Sequence, residues 1–333
     1  MRVAVLGPGG VGGLIAGALA RAGTPVTVIA RAATAATISE RGLRVDSVLL
    51  GDFVTHPPTA MRLEQPVDAL IVATKAAGLE EALERVELAP PLVLPLLNGL
   101  DHIAALRERF APDTVVAGTI RVEADRPEPA VVVHTSQFLR VEMASRYPAA
   151  RVTMDALAGA LTEAGVPARV YPSNDPALND PAQPPGDSTP ASARRAVEPA
   201  DGGEAQVMWS KLVRLNALAC TTSAYDLLLG EIRSTPELRA DLIGAIDEGC
   251  VVARAEGASI SSEDPLGELT AAHDTLGSSM QRDIAAGREP ELDAIPGSVL
   301  RAAARHGIEC PTIERLVGLI AARAGVPAPV VAS

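Results

Sequence analysis

The apolar and polar positions of this 333-residue chain follow two different periods. Through residue 171, short apolar runs that end in polar residues alternate with helical stretches, as in a parallel sheet with helices on both faces. From Trp209 onward, apolar residues recur every three or four positions, as in packed helices. We therefore predict an α/β N-terminal half built on a doubly wound parallel sheet, followed by an all-α C-terminal domain.

Six apolar runs predict the strands of the N-terminal half. They are MRVAVLG, TPVTVIAR, DALIVATK, PLVLPLLNG, TVVAGTI and AVVVHTS. The helix that closes this half is predicted by the segment DALAGALTEAG.

Between the two halves, the hydrophobic pattern stops. Residues 172–203 are rich in Pro, Asp, Ala and Ser and carry almost no large apolar side chain, so burial cannot offset the entropy of ordering them. We interpret this segment as a flexible insertion, and a lid over a binding site is the alternative, because long irregular loops are either disordered or functional. The chain is thus predicted to comprise residues 1–171, the insertion and residues 204–333.

Three glycines lie at the bend between the first predicted strand and the first predicted helix. Their G-x-G-x-x-G spacing allows a tight turn at the first glycine, approach of a pyrophosphate at the second and close helix packing at the third. The N-terminus of the following helix offers free N–H groups to an anion. We therefore predict a Rossmann-like dinucleotide site, whereas a tight turn without a ligand is the alternative. The residues expected to contact the dinucleotide are Gly7, Pro8, Gly9, Gly10, Val11 and Gly12.

The ends of three further strands carry candidate ligand contacts. Folds that bind NAD usually place an acidic residue after the second strand to hold the ribose 2′-hydroxyl, whereas this chain has Ala30 and Arg31 there. Arg31 favours the 2′-phosphate of NADP (NADPH), and a solvated surface arginine is the alternative. Lys75 and Asn98 follow two other strands, and ligands of such sheets lie beyond the carboxyl ends of the strands. Both side chains are therefore expected to touch cofactor or substrate.

The composition limits the classes of partner and of metal site. With 41 acidic and 29 basic residues, the chain has a formal charge of −12 and lacks the excess of basic residues that binds a phosphate backbone. We therefore expect no nucleic-acid partner. We also expect a cytoplasmic protein without a membrane partner, because the chain lacks an apolar run of membrane-spanning length and a leader pattern. Cys220, Cys250 and Cys310 lack the spacing of a disulfide framework or a zinc site, and no metal is predicted.

Segments of the helical half give the chain a more specific resemblance. WSKLVRLNA, SSMQRDIAAGREPELDAIPG and AARHGIECPT, together with Arg31, Lys75 and the Asn98–Gly99 pair, resemble the ketopantoate reductase (2-dehydropantoate 2-reductase) family. That family pairs an N-terminal Rossmann domain with a helical C-terminal domain. The resemblance implies NADPH-dependent reduction of 2-dehydropantoate to (R)-pantoate, as in pantothenate biosynthesis. A homodimer through the helical domain is compatible with it.

The resemblance also implies a role for individual residues. Lys211 would be the proton donor, and Asn98 would touch both the nicotinamide side of the cofactor and a small 2-oxo acid substrate. The chemistry of lysine suits this role, because an ammonium can stabilise the charge that develops on a ketone oxygen and then donate a proton. The remaining implied contacts are Lys75, Ala124 and Glu291 toward the cofactor and Asn98, Lys211, Asn216 and Ser279 toward the substrate.

The resemblance is incomplete on the helix that carries Lys211. The family usually has asparagine four residues after the lysine, but position 215 is Leu and Asn216 follows one residue later. Because one residue turns a helix by about 100°, Asn216 can serve only if the helix is overwound or bulged. A second asparagine, expected one turn further along, is absent. Reduction of another 2-oxo acid or a dicarbonyl substrate, and a non-catalytic NADP-binding sensor, therefore remain as alternatives.

Overall fold

A computed structural model describes residues 1–171 and 202–331, so the prediction of a flexible insertion or lid concerns residues that lie almost entirely outside the described ranges. The strands of the N-terminal half are β1 (Val3–Leu6), β2 (Val26–Ile29), β3 (Leu43–Ser47), β4 (Phe53–Thr55), β5 (Thr59–Ala60), β6 (Ala69–Val72), β7 (Val93–Pro95), β8 (Ala117–Arg121), β9 (Ala124–Glu128), β10 (Val131–His134), β11 (Arg140–Ala144) and β12 (Ala168–Val170). Its α-helices are α1 (Gly10–Arg21), α2 (Ala32–Arg41), α3 (Leu79–Leu83), α4 (His102–Arg109) and α5 (Arg151–Glu163).

The first sheet is parallel and is buried on both faces. Its strand order is β5-β2-β1-β6-β7, and β1 lies between β2 and β6. Along β1, Val3 and Val5 enter one apolar cluster, whereas Ala4 and Leu6 enter another on the opposite face. This alternation follows from the two-residue period of a strand. It confirms the predicted Rossmann-like fold class.

The later strands form two smaller sheets instead of extending the parallel one. One sheet has the order β4-β3-β10-β9, and the other has the order β12-β11-β8. Strands β9 and β10 pair as an antiparallel hairpin whose turn contains Ala130 at φ 62°. Short connections of this kind cannot make the crossover that parallel neighbours require. The strands predicted from TVVAGTI and AVVVHTS are present as β8 and β10, but they belong to the two smaller sheets and not to the parallel sheet.

The C-terminal half is helical throughout the part of the chain that the structure describes, as predicted. Its α-helices are α6 (Gly202–Tyr225), α7 (Leu229–Ser234), α8 (Pro236–Ala255), α9 (Glu263–Ala271), α10 (Ser279–Ala285), α11 (Ser298–Arg305) and α12 (Pro311–Ala324). A π-helical turn, Asp293–Gly297, precedes α11. The side chains of Trp209, Ile246 and Ile320 belong to one apolar core of this half.

The two halves meet along α6. Glu204, in the first turn of α6, is buried and accepts hydrogen bonds from the guanidinium groups of Arg107 and Arg146 in the N-terminal half. These bonds compensate for removing the carboxylate from water. They anchor the start of α6 against the first half, and further along the same helix Lys211 reaches Asn98, which follows strand β7.

Two broader expectations can be compared with residues 1–171 and 202–331. The three cysteines are buried and free. Within these residues, no helix combines the length and hydropathy needed to cross a membrane, and no cluster of His, Cys, Asp and Glu side chains has the geometry of a metal site.

Candidate active site

One edge of the parallel sheet carries most of the predicted cofactor contacts. Strands β1, β2, β6 and β7 run in the same direction, so their carboxyl ends lie at the same edge. The residues that follow these ends within three positions are Gly7, Arg31, Lys75 and Asn98. Because these strands are parallel, the four residues reach a common edge of the sheet although they are far apart in the sequence.

The glycine loop has three different geometries at its three glycines. Gly7 has φ +90°, a left-handed conformation that glycine adopts without strain. A Cβ atom at Gly12 would lie 2.2 Å from the carbonyl oxygen of Gly7, so helix α1 packs directly on the loop. A Cβ atom at Gly9 would meet nothing within 4 Å among the residues that the structure describes. The space next to Gly9 is thus open, whereas that next to Gly12 is filled by backbone.

The start of α1 is suited to an anion. Its N-cap, Gly9, has no capping side chain, and the first turn contains no acidic residue. The N–H groups of Gly10, Val11 and Gly12 have no hydrogen-bond partner among the described residues. Together with the positive end of the helix dipole, these groups provide the kind of donors to which phosphates bind.

A polar chain joins three residues from distant parts of the sequence. The ammonium of Lys211, on α6, donates a hydrogen bond of 2.8 Å to Oδ1 of Asn98. The amide Nδ2 of Asn98 donates in turn to Oε2 of Glu291 at 2.9 Å. These bonds fix the orientation of the Asn98 amide, because its oxygen faces a donor and its nitrogen faces an acceptor. The three residues predicted from the family resemblance thus come together where the two halves meet.

Gly99 explains how this contact between the halves becomes so close. It has φ +85°, and a Cβ atom there would lie 2.0 Å from the carbonyl oxygen of Ala294. Ala294 lies in the π-helical turn that follows Glu291. Only glycine allows the two backbones to approach in this way. The Asn98–Gly99 pair therefore positions Asn98 against Glu291 through the backbone of the next residue.

The surroundings of Lys211 change its acidity. Loss of hydration in this partly buried site lowers the pKa of Lys211 to about 8, and the positive charges of Arg121 and Arg214 act in the same direction. The carboxylate of Glu291 opposes them and raises the pKa. The ammonium form therefore predominates at neutral pH and can release its proton more readily than an exposed lysine can.

Lys75 and Arg31 are each held by a carboxylate. The ammonium of Lys75 lies 2.7 Å from Oδ2 of the buried Asp283, on α10, and Arg288 pairs with the other oxygen of that carboxylate. The guanidinium of Arg31 lies 2.7 Å from Oε2 of Glu81. The Arg31 side chain is 70% exposed, so this pair contributes little to stability. Both cations are therefore accessible to a charged ligand that displaces or joins their partners.

Three other predicted contact residues, Asn216, Ser279 and Ala124, do not take part in the chain of hydrogen bonds around Lys211. Asn216 is fully buried in the core of the helical half, where Cys220 Sγ lies 3.4 Å from its Oδ1. Because α6 is a continuous helix, Asn216 points about 140° away from Lys211, and the structure does not bring it to the site. Ser279 is exposed at the first position of α10, and the capping residue is Ser278. The carbonyl oxygen of Ala124 packs against Gly10 of the glycine loop.

Sequence reasoning missed several side chains next to the site. His102 is buried at the start of α4, where loss of hydration and the charge of Lys211 lower its pKa to about 3. The imidazole is thus neutral, and its buried Nε2 has no hydrogen-bond partner among the described residues. Asp283, Arg121 and Arg214 were also missed. A buried partner is visible in the sequence only as a single charged residue within an apolar pattern, which is a weak signal.

This arrangement can bind an anion and protonate an oxygen. The N-terminus of α1 provides N–H donors for phosphate, and Lys211 provides a proton at a site that Asn98 holds in place. Reduction of a carbonyl group needs such a donor, because negative charge develops on the carbonyl oxygen as hydride reaches the carbon.

Comparison with known proteins gives matches over nearly the whole chain. The family model described as "Ketopantoate reductase PanE/ApbA" matches residues 3–145, and its C-terminal counterpart matches residues 205–324. The 2-dehydropantoate 2-reductase of Halobacterium salinarum is 30% identical over 329 residues, which cover 96% of this chain and 98% of that protein. The enzyme of the same name from Caulobacter vibrioides is 27% identical over 334 residues, which cover 97% and 99% of the two chains.

Solved structures share the fold. The 2-dehydropantoate 2-reductase of Geobacter metallireducens matches with a TM-score of 0.79 at 24% identity, covering 96% of this chain and 99% of that one. A ternary structure of D-mandelate dehydrogenase with NADH and anilino(oxo)acetate matches with a TM-score of 0.80 at 20% identity, covering 98% and 99%. Both pair the same two halves that this chain contains.

Proposed function

The chain belongs to the ketopantoate reductase family, and we propose that it reduces 2-dehydropantoate to (R)-pantoate with NADPH as cofactor. The observation that carries the proposal is the bond of 2.8 Å between Lys211 Nζ and Asn98 Oδ1, which places an ammonium beside the carboxyl edge of the sheet. Relatives named 2-dehydropantoate 2-reductase match almost the full length of the chain. In this proposal the protein is a cytoplasmic enzyme of pantothenate biosynthesis.

The residues of the N-terminal half fit a nicotinamide dinucleotide. The open space beside Gly9 would admit the pyrophosphate, and the N–H groups at the start of α1 would donate to its oxygens. The Ala124 backbone packs on Gly10, so it would lie beside the bound cofactor, and Lys75 follows the end of β6 on the same sheet edge. When bound, NADPH would supply the hydride for the carbonyl carbon.

Arg31 supports NADPH over NADH. Its guanidinium follows the second strand, is largely exposed and lies beside Glu81, to which it is bonded. A 2′-phosphate carries more charge than this carboxylate and can accept two parallel hydrogen bonds from arginine. The phosphate would therefore displace or share the partner of Arg31. NADH, which has a 2′-hydroxyl instead, would gain much less from this contact.

The side chains of the site would divide the chemistry among them. Lys211 would stabilise the charge that develops on the ketone oxygen and transfer a proton to it, which leaves a hydroxyl group and a neutral amine. Asn98 would hold the ammonium in place, and Glu291 would both orient the Asn98 amide and keep Lys211 protonated. Solvent would return the proton, because Lys211 is only partly buried.

Oxidation of NADPH in the presence of 2-dehydropantoate tests this proposal. We expect turnover that depends on both compounds and formation of one equivalent of pantoate per NADPH oxidised. A panel of other 2-oxo acids and β-dicarbonyl compounds, measured in parallel, identifies the preferred substrate. Tight binding of NADPH without oxidation by any carbonyl compound would contradict the proposal and would favour an NADP-binding sensor.

Reduction of a different 2-oxo acid is the second candidate. It is favoured by the position of Asn216, which is buried in the core while Leu215 occupies the turn after Lys211. The side of the site that would contact the substrate is therefore less polar than the family pattern implies. A higher kcat/KM for another 2-oxo acid than for 2-dehydropantoate would support this candidate.

A further inference from the structure

Two arginines lie beside Lys211 but outside its chain of hydrogen bonds to Asn98 and Glu291. Arg121 ends strand β8, and its Nη2 donates to the carbonyl oxygen of Ser210, the residue before Lys211, at 3.0 Å. Arg214 lies three residues after Lys211 on α6. Residues with this spacing are neighbours on a helix surface, with Cβ atoms about 5–6 Å apart.

The two guanidinium groups share one carboxylate. Oε2 of Glu268 lies 2.6 Å from Arg121 Nη1 and 3.1 Å from Arg214 Nε. Glu142, the second acid near Arg121, is 3.8 Å from its Nε and is already bonded to Tyr171. Glu268 therefore has to serve both guanidinium groups, with Glu142 as a more distant second partner of Arg121.

Arg214 is the less satisfied of the two arginines. Its Nε is buried and, although close to Glu268, lacks the geometry of a hydrogen bond. Its two terminal nitrogens donate no hydrogen bond within residues 1–171 and 202–331, and its ion pair with Glu268 runs through Nε. The Arg214 side chain is only 18% exposed. A guanidinium with a free terminal fork in such a place gains little from water and is matched in shape to a carboxylate.

We propose that Arg214, supported by Arg121, binds the carboxylate of a 2-oxo acid substrate while Lys211 faces its ketone oxygen. The proposal rests on the proposed reductase function. In a 2-oxo acid the carboxylate and the ketone are on adjacent carbons, and the spacing of Arg214 and Lys211 on one helix surface suits two adjacent groups. The arginine pair would also supply the polar contact that Asn216 does not provide. Neutral ketones are therefore expected to be poor substrates.

Substrate charge and residue charge can be varied together to test this assignment. The variants are Arg214→Gln, which removes the charge, and Arg214→Lys, which keeps the charge but loses the fork. Arg151→Gln is the matched control, because Arg151 is exposed on α5 and pairs only with Asp155 among the described residues. The probes are pantoate and its neutral amide, whose dissociation constants are measured by calorimetry in the presence of NADP. Steady-state kinetics with 2-dehydropantoate and its amide are measured in parallel.

The expected result is specific to the charged probe. Arg214→Gln should weaken pantoate binding by about 10- to 100-fold, as expected for loss of a charge-assisted hydrogen bond, and should leave amide binding almost unchanged. KM should rise with the same factor, whereas kcat should change less. Arg214→Lys should fall between the wild type and Arg214→Gln, and Arg151→Gln should match the wild type.

Other results would overturn the assignment. Equal losses for acid and amide, or pantoate binding that does not depend on Arg214, would show that the carboxylate binds elsewhere. If Arg214→Gln fails to fold, the comparison rests on Arg214→Lys, which must still discriminate less between acid and amide than the wild type does. A wild type that binds pantoate through Arg214 but reduces no ketone would support the anion site and contradict the proposed function. Reduction of the acid by the wild type, with a KM that neither Arg214 variant changes, would support the proposed function and contradict the anion site.

Discussion

The glycine loop and the Lys211 site solve the same problem, binding a polar ligand, in different ways. The loop is formed by six consecutive residues, 7–12, whose backbone N–H groups and open space do not depend on any side chain. The Lys211 site is formed by side chains that are 113 and 193 positions apart in the sequence. The first is a local property of one strand-to-helix turn, whereas the second exists only when the two halves are docked.

This difference implies a division of labour that mutations can separate. Changes in the loop should alter cofactor affinity, because the backbone there approaches the proposed pyrophosphate site. Changes in the side-chain site should alter turnover, because those groups face the reacting atoms. Single substitutions can change one of these regions and leave the other intact.

The largest effect is expected from Lys211→Ala. The substitution removes both the stabilising charge and the proton donor, and general acid catalysis of this kind contributes about 10²- to 10⁴-fold in rate. The loss should appear in kcat, while the dissociation constant for NADPH, measured by fluorescence titration, should change little. Lys75, which also lies on the sheet edge, provides a matched control, because Lys75→Ala should affect cofactor binding more than kcat. A Lys211→Ala enzyme within about threefold of the wild-type rate would show that another group donates the proton.

The next largest effect is expected from Gly9→Ala. A methyl group there meets no atom within 4 Å in the described part of the chain, its own chain neighbours aside, and Gly9 has an ordinary negative φ of −77°, so the protein should fold with an almost unchanged melting temperature. The same methyl group would occupy the proposed pyrophosphate space and weaken NADPH binding by about 10- to 100-fold. Gly12→Ala is the contrasting variant, because its methyl group would lie 2.2 Å from the Gly7 oxygen and should lower the melting temperature itself. Unchanged NADPH affinity in Gly9→Ala would place the dinucleotide elsewhere.

A smaller effect is expected from Arg31→Ala. Loss of the guanidinium should weaken NADPH binding by about tenfold and leave NADH binding nearly unchanged, because only NADPH carries the 2′-phosphate. Glu81→Gln sharpens the comparison. It frees Arg31 from its carboxylate partner and should leave NADPH binding equal to or stronger than that of the wild type. Equal losses for both cofactors in Arg31→Ala would remove the basis for NADP preference.

The sequence predicts the two regions to different depths. The glycine loop is visible from spacing alone, because its function depends on where side chains are absent. Asn98 could also be proposed from its position after a predicted strand, but Lys211 and Glu291 could be identified only through resemblance to a family, since nothing local distinguishes them from a solvated lysine and a surface glutamate. The structure adds that all three are joined by hydrogen bonds.

The remaining differences also have physical causes. The small sheets were not predicted, because short strands give little information about which partner they will pair with. Asn216 was expected at the site on condition that α6 is bulged, but the helix is continuous and directs this side chain into the core. The ion pair between Lys75 and Asp283 spans 208 positions, and such a pairing has no local pattern.

The pH dependence of reduction tests the central claim, that Lys211 is the acid, most directly. The pKa of Lys211 is lowered to about 8, and the acid must be protonated to act, so kcat/KM should be constant at lower pH and fall as pH rises above about 8. Because Glu291 raises this pKa, Glu291→Gln should move the falling limb to lower pH. A wild-type rate that stays constant from about pH 7 to pH 10, across the range in which the lysine loses its proton, would contradict the account.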